Sequence, residues 1–236
     1  MTMGEMLLLY GLFTIGMVIR FLLTGMFSWL EFGLISLLLF ASLVFGLLDN
    51  WQIRRDMRYG GRANTLTTRC VERTTRRPKY VLEGAQQIGS YRRSYQKGWQ
   101  FLFVQLSAKL RGWFLNLNFS FSDRTVSYVE QRSSLLARNQ KWLVYENGEV
   151  VGTVRTDASL KRMSTFKEVM LLSYQDVEYE VTSSTLSSKI EVRRGAEVIA
   201  TSKANLRSDV TFQVKEQQNR SLILSVLVLF HYHFQS

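Results

Sequence analysis

The chain has 236 residues, enough for one or two domains, and 46% of them are hydrophobic, concentrated towards the start and the end. A single cysteine, Cys70, excludes an internal disulfide framework and fits a reducing compartment, and a single proline, Pro78, excludes proline-rich linkers. The net charge of +11 favours nucleic acid, anionic lipid or an acidic protein surface as partner, and where the charge sits decides which.

Met6 to Leu23 reads MLLLYGLFTIGMVIRFLL and Phe32 to Leu48 reads FGLISLLLFASLVFGLL, with only TGMFSWLE between them. Each run is close to the roughly 20 residues a helix needs to span a bilayer. A cleaved signal peptide needs a basic start, which MTMGEM lacks. Residues 1–50 are therefore read as a two-helix transmembrane hairpin. Arg20, Trp29, Glu31 and Trp51 are its candidate membrane-interface residues, with Arg20 and Glu31 brought together by the antiparallel arrangement. Gly11 and Gly16 on the first span, and Ser36, Ala41 and Ser42 on the second, offer small faces for close helix packing.

Residues 51–79 form a basic juxtamembrane linker. Between Asp49 and Tyr80 nine basic side chains (Arg54, Arg55, Arg58, Arg62, Arg69, Arg73, Arg76, Arg77 and Lys79) face three acidic ones. Arg and Lys near a span end stay on the cytoplasmic side, so an even number of spans puts both termini in the cytoplasm of a cell (inner) membrane protein. Anionic phospholipid headgroups are the nearest counterions, at about 1 kcal/mol per basic residue. Arg54 to Arg62 have a simpler reading as topology markers only. No nucleic-acid-binding motif accompanies the charge.

From about Tyr80 the period falls to two. QFLFVQLSAKL (100–110) and WFLNLNFSFSDRTVSYVEQ (113–131) alternate as half-buried strands do. KWLVYENGEVVGTVRT (141–156) is a hairpin turning at Asn147-Gly148, a pair suited to a type I′ turn, and SKIEVRRGAEVIATSKA (188–204) is another at Arg194-Gly195. Ten to twelve short strands across residues 80–236 point to a sandwich or barrel. RSLILSVLVLFHYHF (220–234) is too apolar for a surface helix and short for a span. It is read as a central barrel helix, with a buried strand or a third membrane segment as rivals. The fold class is a membrane α-helical hairpin plus a mainly-β cytoplasmic domain, a closed antiparallel barrel around a central apolar C-terminal helix.

The hairpin Lys141 to Val154 and the terminal segment Ser221 to Phe230 resemble the tubby-like superfamily, which includes tubby C-terminal domains, LURP-one-related proteins and phospholipid scramblases. The resemblance covers roughly residues 65–236 and implies a twelve-stranded barrel wrapped around a central helix. It carries over no phosphoinositide pocket and no calcium loop.

Catalytic chemistry has few candidates. His231 and His233 are the two histidines, read as a partly exposed pair lacking further metal ligands. Ser164 to Lys167 fits S-x-x-K without the partner motifs of serine-lysine enzymes. No enzyme, metal or cofactor is expected. Binding has better candidates. RTDASLKRMSTFK (155–167) carries Arg155, Lys161, Arg162 and Lys167 with the hydroxyls of Ser164 and Thr165, a set able to hold a phosphate. Arg92, Arg93 and Lys97 lie among Tyr91, Tyr95 and Trp99, which suits a headgroup interface or a protein contact. The leading expectation is an accessory or regulatory subunit that binds another membrane protein at the inner leaflet. An anionic-phospholipid-binding module comes second and a lipid scramblase third. The candidate lipid- or partner-binding residues are Arg54, Arg55, Arg58, Arg62, Lys161, Arg162 and Lys167.

Overall fold

A computed structural model describes residues 3–63, 65–70, 73–105, 110, 112–131, 139–157, 167–184, 189–205 and 209–234. Helices α1 (Met3–Thr24) and α2 (Trp29–Met57) pack side by side as an apolar hairpin. Both contain segments long and apolar enough to cross a membrane, Met6–Thr24 and Trp29–Leu48. Gly25, at φ 67°, ends α1 by donating its N–H to the Phe21 carbonyl at 2.8 Å. Ser28 caps α2, its hydroxyl accepting the Glu31 N–H at 3.4 Å. The Glu31 carboxylate turns back to pair with Arg20, tying the two helix ends together across the turn.

Twelve strands follow among the described residues: β1 (Leu66–Arg69), β2 (Lys79–Glu83), β3 (Gln86–Ser94), β4 (Asn116–Phe121), β5 (Thr125–Gln131), β6 (Lys141–Glu146), β7 (Glu149–Thr156), β8 (Lys167–Tyr174), β9 (Val177–Ser184), β10 (Lys189–Arg194), β11 (Glu197–Ala204) and β12 (Asp209–Val214). Each pairs antiparallel with its neighbour in the chain, and β1 pairs with β12, which closes the barrel. The Asn147-Gly148 turn has φ 50° and 95°, as a type I′ hairpin requires.

The segment expected to fill the barrel does so. Helix α4 (Arg220–Phe234) is buried from Leu222 through Tyr232, and its side chains form one core with Val81, Tyr128, Trp142, Met170, Val181 and Ile190 from the strands. A helix buried all round is apolar all round, and each fully buried Leu or Ile contributes roughly 1.5–3 kcal/mol. Its few polar atoms find partners inside the lumen: Ser225 Oγ lies 2.7 Å from Tyr128 Oη, and Ser202 Oγ lies 3.0 Å from His231 Nε2.

Three expectations are corrected. Residues 100–110 do not start a strand, because Gly98–Gln105 is a helix, α3. Its buried Gln100 and Val104 are four apart, a spacing that an alternating reading of QFLFVQ overlooks. Residues 51–79 are not only linker: α2 runs on to Met57 and β1 falls inside the stretch. His231 is fully buried, since the lumen gives it a hydrogen-bonding serine.

An ionic latch at the far rim, where the β2–β3, β4–β5 and β6–β7 turns gather, fixes the start of α4. Ser221 donates to Asp123 at 2.8 Å, Arg124 bridges Asp123 (2.9 Å) and Glu146 (3.0 Å), and Arg220 pairs with Glu83 at 2.6 Å. Burial alone raises the Asp123 carboxyl, but the Ser221 hydroxyl and the Arg124 guanidinium together outweigh it and hold the group below its ordinary value. A depressed carboxyl stabilises the fold above its unfolded pKa and loses that contribution as pH falls. Asp123→Asn is expected to lower thermal stability at neutral pH by no more than about 1 kcal/mol, Asp123 being half-exposed. The gap between variant and parent should close as pH drops below about 3.9, the usual aspartate value. Melts of both proteins across that range measure it, and a constant gap would deny the latch.

Candidate binding surface

The basic residues of the linker do not act as one patch. Arg54 and Arg55 ride on the last turn of α2, Arg58 follows it, and all three are exposed. Arg55 stacks over Trp51, its guanidinium 5.5 Å from the ring centroid. The chain then descends the barrel wall. Tyr59 packs under Arg69 at the end of β1 (5.3 Å), and Gly61 reaches the opposite rim beside Gly84. Arg62 is thereby carried away from Arg54, Arg55 and Arg58 and placed at the end of an open groove.

That groove, of about 600 Å3, runs along the outer face of β12 between β11 and the 62–66 segment. At the rim beside the hairpin it is lined by Lys189, Lys203 and Asn205; at the far rim by Arg62, Arg220 and Glu83. Thr201, Thr211 and Gln213 supply neutral donors and acceptors between them. Four cationic side chains thus meet one carboxylate, which Arg220 already engages.

Strand register makes this surface costly to the barrel itself. Lys189 and Lys203 are directly opposite on β10 and β11. Like charges so placed oppose the pairing of their own strands. Glu191 offsets Lys189 at 3.0 Å, but among the described residues no acidic side chain pairs with Lys203 or with Arg62. Counting regularly outward from the Arg194-Gly195 turn puts Lys189 opposite Ser202, and the bulge at Val192/Arg193 moves it to Lys203, so the neighbourhood of the two lysines, but not their direct pairing, was within reach of the sequence. Arg62 and Arg220 were not, since only barrel closure brings them to one groove.

Other candidates divide. Lys161 and Arg162 lie outside the described residues, as do Ser164 and Thr165. The residues that bracket that connection, Thr156 and Lys167, end β7 and begin β8 at the rim beside the hairpin. Arg155 is exposed on β7. Of the aromatic-basic patch, Arg92 and Lys97 are exposed. Arg93 is buried, donating to the carbonyls of Arg73 (3.1 Å) and Trp113 and stacking on Tyr95 (5.0 Å), so it holds the rim together rather than facing a ligand. Tyr91 and Tyr232 are buried at that rim, and desolvation pushes both phenols well above their ordinary value.

Catalytic geometry is sparse. Ser202 and His231 form a serine–histidine pair, but both are buried in a lumen filled by α4. Among the described residues there is no group of three or more histidine, cysteine, aspartate or glutamate side chains placed to hold a metal. The comparison with known families matches residues 69–236, which hold the barrel and its central helix, to the Tubby C-terminal like domain. The chain belongs to that family. No curated protein and no solved structure matches it. The Tubby C-terminal like barrel suggests a lipid- or protein-binding role, and here it follows two apolar helices.

Two substitutions test the surface. Lys203→Glu faces Lys189 with an opposite charge, so it should stabilise the barrel by roughly 0.2–1 kcal/mol. That corresponds to a rise of a few degrees at most in the melting temperature for a domain of this size, and a fall would contradict the repulsion. Gly61, at φ 73°, is held so close to Gly84 that a methyl group would overlap the Gly84 carbonyl oxygen. Gly61→Ala should therefore destabilise by at least about 1–2 kcal/mol. Unchanged melting would show that the 61–65 segment is not seated on the barrel.

Proposed function

We propose that this protein is a non-enzymatic, membrane-anchored accessory subunit: α1 and α2 span the membrane, the barrel lies on its cytoplasmic side, and together they bind another membrane protein. The observation that carries the reading is the open space beside two small residues of α1. A methyl built on Gly11 or Gly16 meets nothing within 4 Å, so the contact between α1 and α2 does not use them and they stay open to another helix. Small residues in a membrane helix allow a second helix to approach closely. Arg54, Arg55 and Arg58 just beyond the span favour a cytoplasmic barrel and lie where anionic headgroups would meet them. The shape of the groove supports a protein partner. Its cations are spread along β12, six residues and about 20 Å long, which suits an extended acidic segment of that partner.

Binding of an anionic phospholipid is the second reading, favoured by Lys203, whose charge no acidic group among the described residues offsets. A lipid headgroup would occupy only the end of the groove beside the hairpin.

Affinity purification of the tagged full-length protein in mild detergent, with mass spectrometry of co-eluting proteins and lipids, separates the two. A stoichiometric membrane protein, lost from the Gly11→Leu/Gly16→Leu variant, is the expected outcome. A lone protein carrying anionic lipid, with the lipid lost from Lys203→Glu, would replace the subunit reading with the lipid one.

A further inference from the structure

Outside the hairpin, the described surface exposes only three large apolar side chains: Trp99 (51%), Leu102 (65%) and Val150. Val150 lies beside the Asn147-Gly148 turn at the far rim. Trp99 and Leu102 are three apart on α3, hence on one face, and α3 packs against α1. Behind that face the helix is braced by rings rather than left mobile. Trp99 meets Phe114 edge-on at 5.2 Å, Phe103 meets Trp113 at 5.7 Å, and Phe101 meets Tyr95 at 5.5 Å.

The sequence around this helix is equally one-sided in charge. No aspartate or glutamate occurs between Glu83 and Asp123, while Arg92, Lys97, Lys109 and Arg111 fall in that interval. Arg76 adds its guanidinium over Phe101 at 4.9 Å, and Lys97 is exposed immediately before the helix. An apolar pair on a short helix, backed by aromatic rings and preceded by the exposed cations Arg92 and Lys97, is matched by the boundary between anionic headgroups and acyl chains.

We propose that α3 is an interfacial foot: Trp99 and Leu102 insert into the anionic leaflet of the bilayer that α1 and α2 cross, and set the barrel upright on that surface. The proposal rests on the spanning reading of the hairpin. It adds a contact with the bilayer itself to those that Tyr59, Gly61 and α1 make with the barrel. With α3 seated, the rim where β7 ends and β8 begins lies on the membrane side and the Asn147-Gly148 turn points away from it.

Single cysteines at Leu102, Phe13 and Val150 in the full-length chain, labelled with an environment-sensitive fluorophore, test this in phosphatidylcholine–phosphatidylglycerol vesicles containing nitroxide lipids. Cys70 is buried, and the unaltered chain measures its background labelling. The expected result is quenching of the Leu102 probe by shallow nitroxides, several-fold stronger than for the Val150 probe, with the Phe13 probe quenched by deep ones. A Leu102 probe as exposed to water as the Val150 probe, beside a deeply quenched Phe13 probe, would overturn the foot and leave the hairpin standing. A Phe13 probe in water would overturn the spanning reading and the foot with it.

Discussion

A sheet of twelve strands bent into a closed cylinder has no edges to protect, but it has an inside to fill. Water there would leave the inward rows of Leu, Val, Tyr and Phe unburied, and side chains alone do not reach the axis of so wide a barrel. Helix α4 solves this by supplying one apolar column that every strand can pack against. The outer wall is then free to be polar, because none of its side chains is needed for the core. The basic groove, the latch at the far rim and the buried Ser202–His231 pair are all consequences of that division between a dry inside and a wet outside.

The same division explains what could be read in advance. The apolar runs of the hairpin, the Asn147-Gly148 turn and the composition of residues 220–234 are local signals: each depends on neighbours a few positions away, and each is found where its chemistry requires. Helix α3 was hidden because QFLFVQ is short enough to satisfy a period of two and a period of 3.6 equally. The burial of Arg93 was hidden because its acceptors are backbone carbonyls of Arg73 and Trp113, twenty residues away on either side.

The binding surface was the least legible part. Counting basic residues treats Arg54, Arg55, Arg58 and Arg62 as one collar, whereas Gly61 bends the chain so that Arg62 leaves the others and joins Arg220. Charge density along a sequence is a one-dimensional quantity. The field a partner meets depends on which strands are neighbours, and the pairing of β1 with β12 links residues that are more than a hundred positions apart.

That closing pair, and the helix that follows it, also order events in time. Tyr128 waits for Ser225, 97 residues later, and Glu83 for Arg220, 137 residues later. Contacts so distant are slow to form, since chain entropy must be lost before they return any energy. Synthesis from the N-terminus produces the hairpin first and α4 after all twelve strands, so the half-made barrel is a row of hairpins with an uncovered apolar face. The basic, apolar surroundings in which that face waits are set by the hairpin already made. A chain built in this order has its greatest need of a chaperone during the roughly 10–50 seconds of its manufacture, and little need of one once residues 220–234 have entered the lumen.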